Sequence, residues 1–326
     1  MILTDESLTI LLLTSHLELA QEPDAKPLSA REWTEFESRS NAASVPLSDF
    51  LRMRAEQVPA ALKLSEDEAS RLASLMARRT GVEEALERLE SIGIWVVTRA
   101  EDDYPLRLRE RLRGAAPTVL YGAGDRRLLS RRGVAIVGSR NVDERSIELT
   151  KTIGSACAES ELVVYSGAAR GVDKIAMSGA LVAGGTAVGL LADSLEKALR
   201  AADARVAIEE GRLVLATPYA PSAGFTVGMA MARNKLIYCL ADFAIVIASD
   251  AEKGGTWAGA EEALKACWVP VFAVNGPDAP DGNVLLIKRG AIPFPYVLEN
   301  LTGSLRDWLE EHALPKTRVE AQGSLF

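Results

Sequence analysis

The sequence predicts an α/β fold: an extended Rossmann-like, doubly wound and mainly parallel sheet, with a small helical domain at the N-terminus. Three observations predict it. Apolar runs of strand length recur at 134–137 (VAIV), 162–165 (LVVY), 186–191 (TAVGLL), 213–216 (LVLA), 243–247 (FAIVI) and 270–274 (PVFAV). Helix-length segments separate them, at about 143–159, 172–183, 194–209, 225–240 and 257–267. Strands that alternate with helices in this way lie parallel in one sheet covered on both faces, which is why each run is apolar throughout. Before residue 100, by contrast, apolar residues repeat at helical spacing.

The expected domains are therefore 1–100 (helical), 101–300 (Rossmann-like) and 301–326 (a C-terminal helix and flexible tail). In the first, Ser29-Ala-Arg-Glu32 and Ser65-Glu-Asp-Glu68 are capping-box patterns that open amphipathic helices. Ala69, Leu72, Leu75 and Met76 repeat at helical spacing, as do Val82, Ala85, Leu86 and Leu89. Residues 20–28 (QEPDAKPLS) read as a linker. The opening MILTDESLTILLLTSHLEL carries acids instead of a basic leader, and its apolar patch is too short to span a bilayer. It reads as a helix. In the last part, a helix over Gly303 to His312 precedes a polar tail.

Composition excludes several chemistries. The chain has 326 residues and only two histidines, His16 and His312, both outside the central region. A Ser-His-Asp, Cys-His or His-metal site there is excluded by inventory. Cys157, Cys239 and Cys267 are far apart and show no metal or CxxC spacing, which fits a reducing cytoplasm. The net charge is −8, yet Tyr104 to Arg140 holds nine arginines against two acids. Guanidinium forks suit phosphate oxygens, and the alternative is a solvated basic face.

In a doubly wound sheet the loops after the strands' carboxyl ends share one edge, where ligands bind. Four of these loops combine small residues with polar or cationic ones. They contain Gly138-Ser139-Arg140-Asn141, Ser166 to Asp173, the long connection into Arg233-Asn234-Lys235, and Ser249 to Trp257 with Gly254-Gly255-Thr256. Glycines let backbone N–H groups approach an anion, and helix N-termini add a favourable dipole. Four such loops on one edge point to a polyanionic ligand. The stretch GVAIVGSR at 133–140 has one loop glycine where a dinucleotide fold needs GxGxxG, and the next strand ends Tyr165-Ser166 without an acid for a ribose. No GxxxxGK[ST] is present. Neither a nicotinamide cofactor nor a P-loop is expected, and no metal.

The motifs fall in a recognisable order: Tyr104-Pro105-Leu106-Arg107-Leu108, Ala116 to Gly124, Val137-Gly138-Ser139-Arg140, Ser166-Gly167-Ala168-Ala169-Arg170-Gly171-Val172-Asp173, Gly179-Ala180-Leu181, Gly184-Gly185-Thr186, Arg233-Asn234-Lys235-Leu236-Ile237 and Lys288-Arg289-Gly290-Ala291. Together they resemble the DprA/Smf (DNA-processing protein A) family over roughly Tyr104 to Ala291. The resemblance implies a dimeric, non-enzymatic protein that binds single-stranded DNA and helps load the RecA recombinase in natural transformation. Three positions depart from the family pattern. Met177 stands where a histidine is usual, Asp143-Glu144 replace Tyr-Gly, and Gly254-Gly255-Thr256-Trp257 replaces a serine-rich turn. That turn is also similar to the wider nucleotide-binding superfamily that includes the LOG hydrolases. A free nucleotide therefore stays a competing ligand, for a sensor or hydrolase in a phage-defence or toxin-linked operon, with Asp250, Glu252 and Glu261 as nearby acids. A third alternative is an interaction protein that works through its helical first domain.

On this reading Gly138, Ser139, Arg140, Ser166, Gly167, Arg170, Gly171, Asp173, Arg233, Asn234, Lys235, Gly254, Gly255 and Thr256 form the phosphate or nucleic-acid site. Asp173 is expected to cap its helix and orient an arginine. Asn234 either reads a base edge or holds a turn. Trp257 and Tyr165 are the stacking candidates, the alternative being that both belong to the core. The tail Gln322-Gly323-Ser324-Leu325-Phe326 resembles the Gln-x-x-Leu-Phe peptide that docks on sliding clamps, the alternative being a frayed terminus.

Overall fold

The computed structural model describes residues 3–18, 26–53, 57–298 and 303–313. The expected clamp-binding residues Gln322, Leu325 and Phe326 lie outside the described residues, as does most of the expected linker. Among the described residues, no helix is long and apolar enough to cross a membrane.

Among the described residues five α-helices come first: α1 (Asp5–Thr14), α2 (Ala30–Ala42), α3 (Gln57–Leu62), α4 (Glu66–Ala77) and α5 (Arg79–Ser91). Both capping boxes form: the Ser29 and Ser65 side chains accept from Glu32 N and Glu68 N, and the two glutamates reach back. Helix α1 (DESLTILLLT) opens on two acids, but from Ser7 to Leu13 every residue is buried, as expected where an apolar run leaves no face for water. Leu11, Leu12 and Leu13 are fully enclosed, so truncating one of them to alanine costs about 2–5 kcal/mol.

The rest alternates around a sheet: β1 (Trp95–Thr98), α6 (Leu106–Leu112), β2 (Val119–Ala123), β3 (Gly133–Val137), α7 (Glu144–Glu159), β4 (Val163–Ser166), α8 (Val172–Val182) and β5 (Ala187–Leu190). There follow α9 (Leu195–Ala198), α10 (Ala202–Glu209), β6 (Leu213–Thr217), α11 (Val227–Leu240), β7 (Phe243–Val246), α12 (Gly254–Ala266), β8 (Val271–Asn275), α13 (Asp281–Lys288), β9 (Ile292–Pro295) and α14 (Leu305–Ala313). All six predicted strands are present. The predicted helix 194–209 is broken into α9 and α10, and β1, β2 and β9 are additional.

The nine strands form one sheet in the order β1-β2-β6-β5-β4-β3-β7-β8-β9. Strands β3 to β9 pair in parallel, whereas β1–β2 and β2–β6 pair antiparallel. Because strand side chains alternate, Val134 and Ile136 face one apolar layer, which holds Leu149, Ile153 and Ala176 of α7 and α8. Ala135 and Val137 face the other, with Leu236, Trp257 and Leu286 of α11, α12 and α13. The first layer also contains Leu11, Leu75 and Val82, so the N-terminal helices share a core with the sheet. Trp95 to Thr98, on the helical side of the expected boundary at 100, pair with β2 in that sheet.

From β3 the chain adds β4, β5 and β6 on one side, then crosses back through α11 to put β7 on the other. The strand order therefore reverses between β3 and β7. Crevices of this kind, outside the carboxyl ends of the strands, are where open α/β sheets bind ligands.

Candidate nucleic-acid interface

A cavity of 410 Å³ occupies that crevice. One wall is the loop after β3, residues 138–141; another is residues 248–253 after β7 and the first turn of α12; a third is residues 225–234 of the β6–α11 connection and α11. The two strand-end loops are tied together, Ser139 N donating to Ala248 O at 2.9 Å. Thr256 Oγ1 donates to Gly138 O at 3.0 Å, holding the start of α12 against the first loop. Helix α12 has no side-chain cap at Lys253 and no acid in its first turn. Its leading N–H groups and its positive dipole end are thus left for an anion.

Beneath the cavity lies a charged pair. Asp173 Oδ2 accepts from Gly167 N at 3.1 Å. The Arg233 guanidinium donates to Gly167 O at 2.7 Å and to Leu190 O. Gly167 has to be glycine, since a Cβ there would stand 2.5 Å from Asp173 Oδ2 and 2.7 Å from Arg233 Nη2. Burial pushes the Asp173 carboxyl up to about 6, against the opposing pull of Arg233 and of the N–H groups it accepts from. Asp173 thus holds the loop at Gly167 beside the Arg233 guanidinium, and it does not cap α8, whose N-cap is Gly171 with no side-chain bond.

Arg233 itself corrects the expectation of an open phosphate ligand. It is 4% exposed, and its guanidinium organises the cavity floor. The residues 233–235 lie in the middle of α11, where successive side chains rotate by about 100° and cannot all face one ligand. Arg233 points inward, Asn234 donates to Gly255 O at 3.1 Å, and Lys235 is absent from the cavity lining. Asn234 therefore holds the turn.

Both predicted stacking residues are core. Trp257 is 5% exposed, with Arg289 over its ring at 4.9 Å. Tyr165 is fully buried and its hydroxyl donates to Leu128 O or Arg131 O. The exposed aromatic of the cavity is Phe225, 51% exposed, with the Arg140 guanidinium 5.5 Å from its ring centre. Val227 and Met231, also exposed, continue the apolar lip. The signal for Phe225 was a lone aromatic in the small, polar loop Pro221-Ser222-Ala223-Gly224-Phe225-Thr226.

The structure brings Gly138, Ser139, Arg140, Asp173, Arg233, Asn234, Gly254, Gly255 and Thr256 into one cavity. Ser166 is buried behind it, donating to Ile136 O at 2.7 Å. Arg170 and Gly171 line an adjoining cleft, with Arg170 donating to Asn141 Oδ1 at 3.0 Å. Gly171 has φ +89°, and its α-carbon sits so close to the first loop that a Cβ would meet Ser139 O at 2.4 Å.

Of the nine arginines between 104 and 140, only Arg140 lines the cavity. Arg111 donates to Cys239 O at 3.0 Å and Ala241 O at 2.6 Å, and Arg107 to Leu240 O at 2.8 Å. These guanidiniums close the carbonyl end of α11, where the helix dipole favours cations. Arg107 also pairs with Asp242, Arg126 with Asp103 and Arg127 with Asp125. Arg107 and Arg111 are therefore structural, whereas Arg113, Arg127, Arg131 and Arg132 are exposed. Among the acids near α12, Glu252 and Glu261 pair with Arg289, while Asp250 lines the cavity.

The family of DNA recombination-mediator protein A matches residues 95–302, more than half of the chain. The chain belongs to that family. The match begins at Trp95, the first residue of β1. This member of the DNA recombination-mediator protein A family is 28% identical to the DNA processing protein DprA of Mycobacterium tuberculosis over 241 residues, 68% of this chain and 61% of that one. The alignment thus spans less than two thirds of that relative. The X-ray structure of DNA processing protein A from Streptococcus pneumoniae superposes with a TM-score of 0.66 at 22% identity, over 93% of this chain and 100% of that one, and shares the fold. The Helicobacter pylori DNA processing protein A, solved for its single-stranded DNA binding mode, gives 0.55 at 25% identity, over 67% of this chain and 97% of that one.

Proposed function

We propose that this chain binds single-stranded DNA and acts in DNA processing and recombination without catalysing a reaction. The observation that carries the reading is the composition of the switch-point cavity. It joins a backbone N–H cradle at the start of α12, a cation at the rim (Arg140) and an exposed aromatic and apolar lip (Phe225, Val227, Met231). Single-strand binders combine a cationic track for phosphates with faces on which bases stack. In this reading Gly254, Gly255, Thr256, Gly138 and Ser139 cradle a phosphate, Arg140 and Arg170 take its neighbours, and Phe225 stacks on a base. Asp173, Arg233 and Asn234 set the shape of the cradle. The single-stranded DNA binding of the Helicobacter pylori relative supports it.

The family resemblance extends the proposal to a homodimer that passes its strand to a RecA-type recombinase, in natural transformation. A second reading, a nucleotide sensor or hydrolase, has one observation in its favour: the Asp250 carboxylate lines the same cavity. A gel-shift titration with a labelled single-stranded oligonucleotide and a panel of unlabelled free nucleotides separates the two. The proposal expects a shifted complex that free nucleotides do not displace and that Arg140→Ala and Arg170→Ala each weaken. Displacement by micromolar nucleotide, or no complex at all, would overturn it.

A further inference from the structure

The switch-point cavity has a neighbour. A more open cleft of 630 Å³ lies across the 139–142 loop, between α7 and α8, and the two share Arg140 and Asn141 as a common wall. Four cations line this second cleft, Arg140, Lys151, Arg170 and Lys174, and no carboxylate does. Between them lie the apolar side chains of Ile147 and Ile175. The lysines meet there because α7 and α8 pack unusually close. A Cβ on Gly179 would stand 2.8 Å from Lys151 O, and one on Gly154 would stand 2.6 Å from Ala176 O. Lys151 pairs with Glu148 at 2.7 Å, both side chains being more than half exposed. An exposed pair of this kind holds its partners weakly and yields readily to a phosphate.

We infer that this cleft carries the continuation of the strand bound in the first cavity, an inference that rests on the proposed single-strand binding. The chain of nucleotides crosses the shared wall at Arg140 and Asn141 and lays further phosphates on Arg170, Lys174 and Lys151. Its sugars or bases rest on Ile147 and Ile175. Continuity and charge both favour that occupant. A mononucleotide is satisfied by the first cavity alone, whereas two cationic clefts in series match a polyanion with regularly spaced charges. The ligand is thus a polynucleotide several residues long, and affinity grows with its length until both clefts are filled.

Neither Lys151 nor Lys174 belongs to the first cavity, so the test is to change them alone. The double variant Lys151→Ala/Lys174→Ala is compared with the unaltered protein by fluorescence anisotropy, using oligo-dT of about 20 nucleotides and of about 3 nucleotides, the latter below the span of one single-strand binding domain. Lost contacts to two phosphates lower the log–log salt slope for the long oligonucleotide by about 1.4, so raising salt from 50 to 200 mM weakens the unaltered protein about sevenfold more than the variant. The short oligonucleotide binds both proteins alike. Lys151→Gln/Lys174→Gln, which keeps the stems and the helices, gives the same result. An unchanged slope and affinity for the long oligonucleotide, with Arg140→Ala still defective, overturns the second cleft and leaves the first reading standing. Equal losses for the short and long oligonucleotides overturn it too. No binding of either by the unaltered protein overturns both.

Discussion

Asp173 and Arg233 set the chemistry of the cavity floor, and their burial makes that floor sensitive to acid. The Asp173 carboxyl is raised from 3.8 to about 6 by burial. Between those values the native state holds a proton that the unfolded chain has released. The stability this proton contributes is complete below 3.8 and is lost as pH rises through about 6. The same protonation removes a negative charge beneath the anion cradle. Single-strand affinity is therefore expected to rise as pH falls through about 6, and Asp173→Asn to abolish that rise; an identical pH profile for the variant would exclude Asp173 as its source. Phe225 offers a second test at this scale. Phe225→Ala is expected to lose about 1–3 kcal/mol of single-strand binding, the usual value of one base stack. Trp257→Phe should bind normally, because Trp257 is core; Trp257→Ala should cost about 3–5 kcal/mol of stability. Calorimetric melts and binding isotherms on the same proteins separate the two effects.

Helix α11 shows how one element can confound a reading of residues in sequence. Its span is legible, because 225–240 has helical length between two strands. The consequences of its rotation are not: Arg233, Asn234 and Lys235 look like one cluster, yet Arg233 and Asn234 are tied into the cavity wall by their own hydrogen bonds and Lys235 is absent from the lining. Its carbonyl end also absorbs the arginine-rich stretch, since Arg111 and Arg107 reach Leu240, Cys239 and Ala241 from far away in the chain. No local pattern announces such a cap. Arg111→Ala is expected to lower stability by about 2 kcal/mol, through lost charged hydrogen bonds to those carbonyls, with single-strand affinity unchanged. A binding defect without a melting shift would return that arginine to the interface. The strands divide in a similar way. Buried parallel strands announce themselves as apolar runs. Strand β9 reads IPFP, and its two prolines argue against a strand anywhere except a sheet edge, which is where it lies. Strands β1 and β2 pair antiparallel beside the parallel body and sit outside its strand–helix alternation.

At the scale of the whole molecule, topology made the location of the site readable and left its composition open. The alternating elements put the strand-end loops on one edge; the reversal of strand order at β3 and β7, which sets the 138–141 and 254–256 loops side by side, comes from the three-dimensional topology. Which cations remain for a ligand depends on long-range pairing, and there the chain keeps Arg140 at the cavity rim and gathers Arg170, Lys151 and Lys174 next to it. A protein of net charge −8 repels nucleic acid at long range, so binding has to come from this one local field and must be screened by salt. The most direct test is the affinity for a single-stranded oligonucleotide, measured from 50 to 200 mM salt for the unaltered protein and for Arg140→Ala. The expected result is a steep log–log decline, about 0.7 for each phosphate neutralised, and a weaker, shallower line for Arg140→Ala. An affinity indifferent to salt, or unchanged by Arg140→Ala, would contradict it.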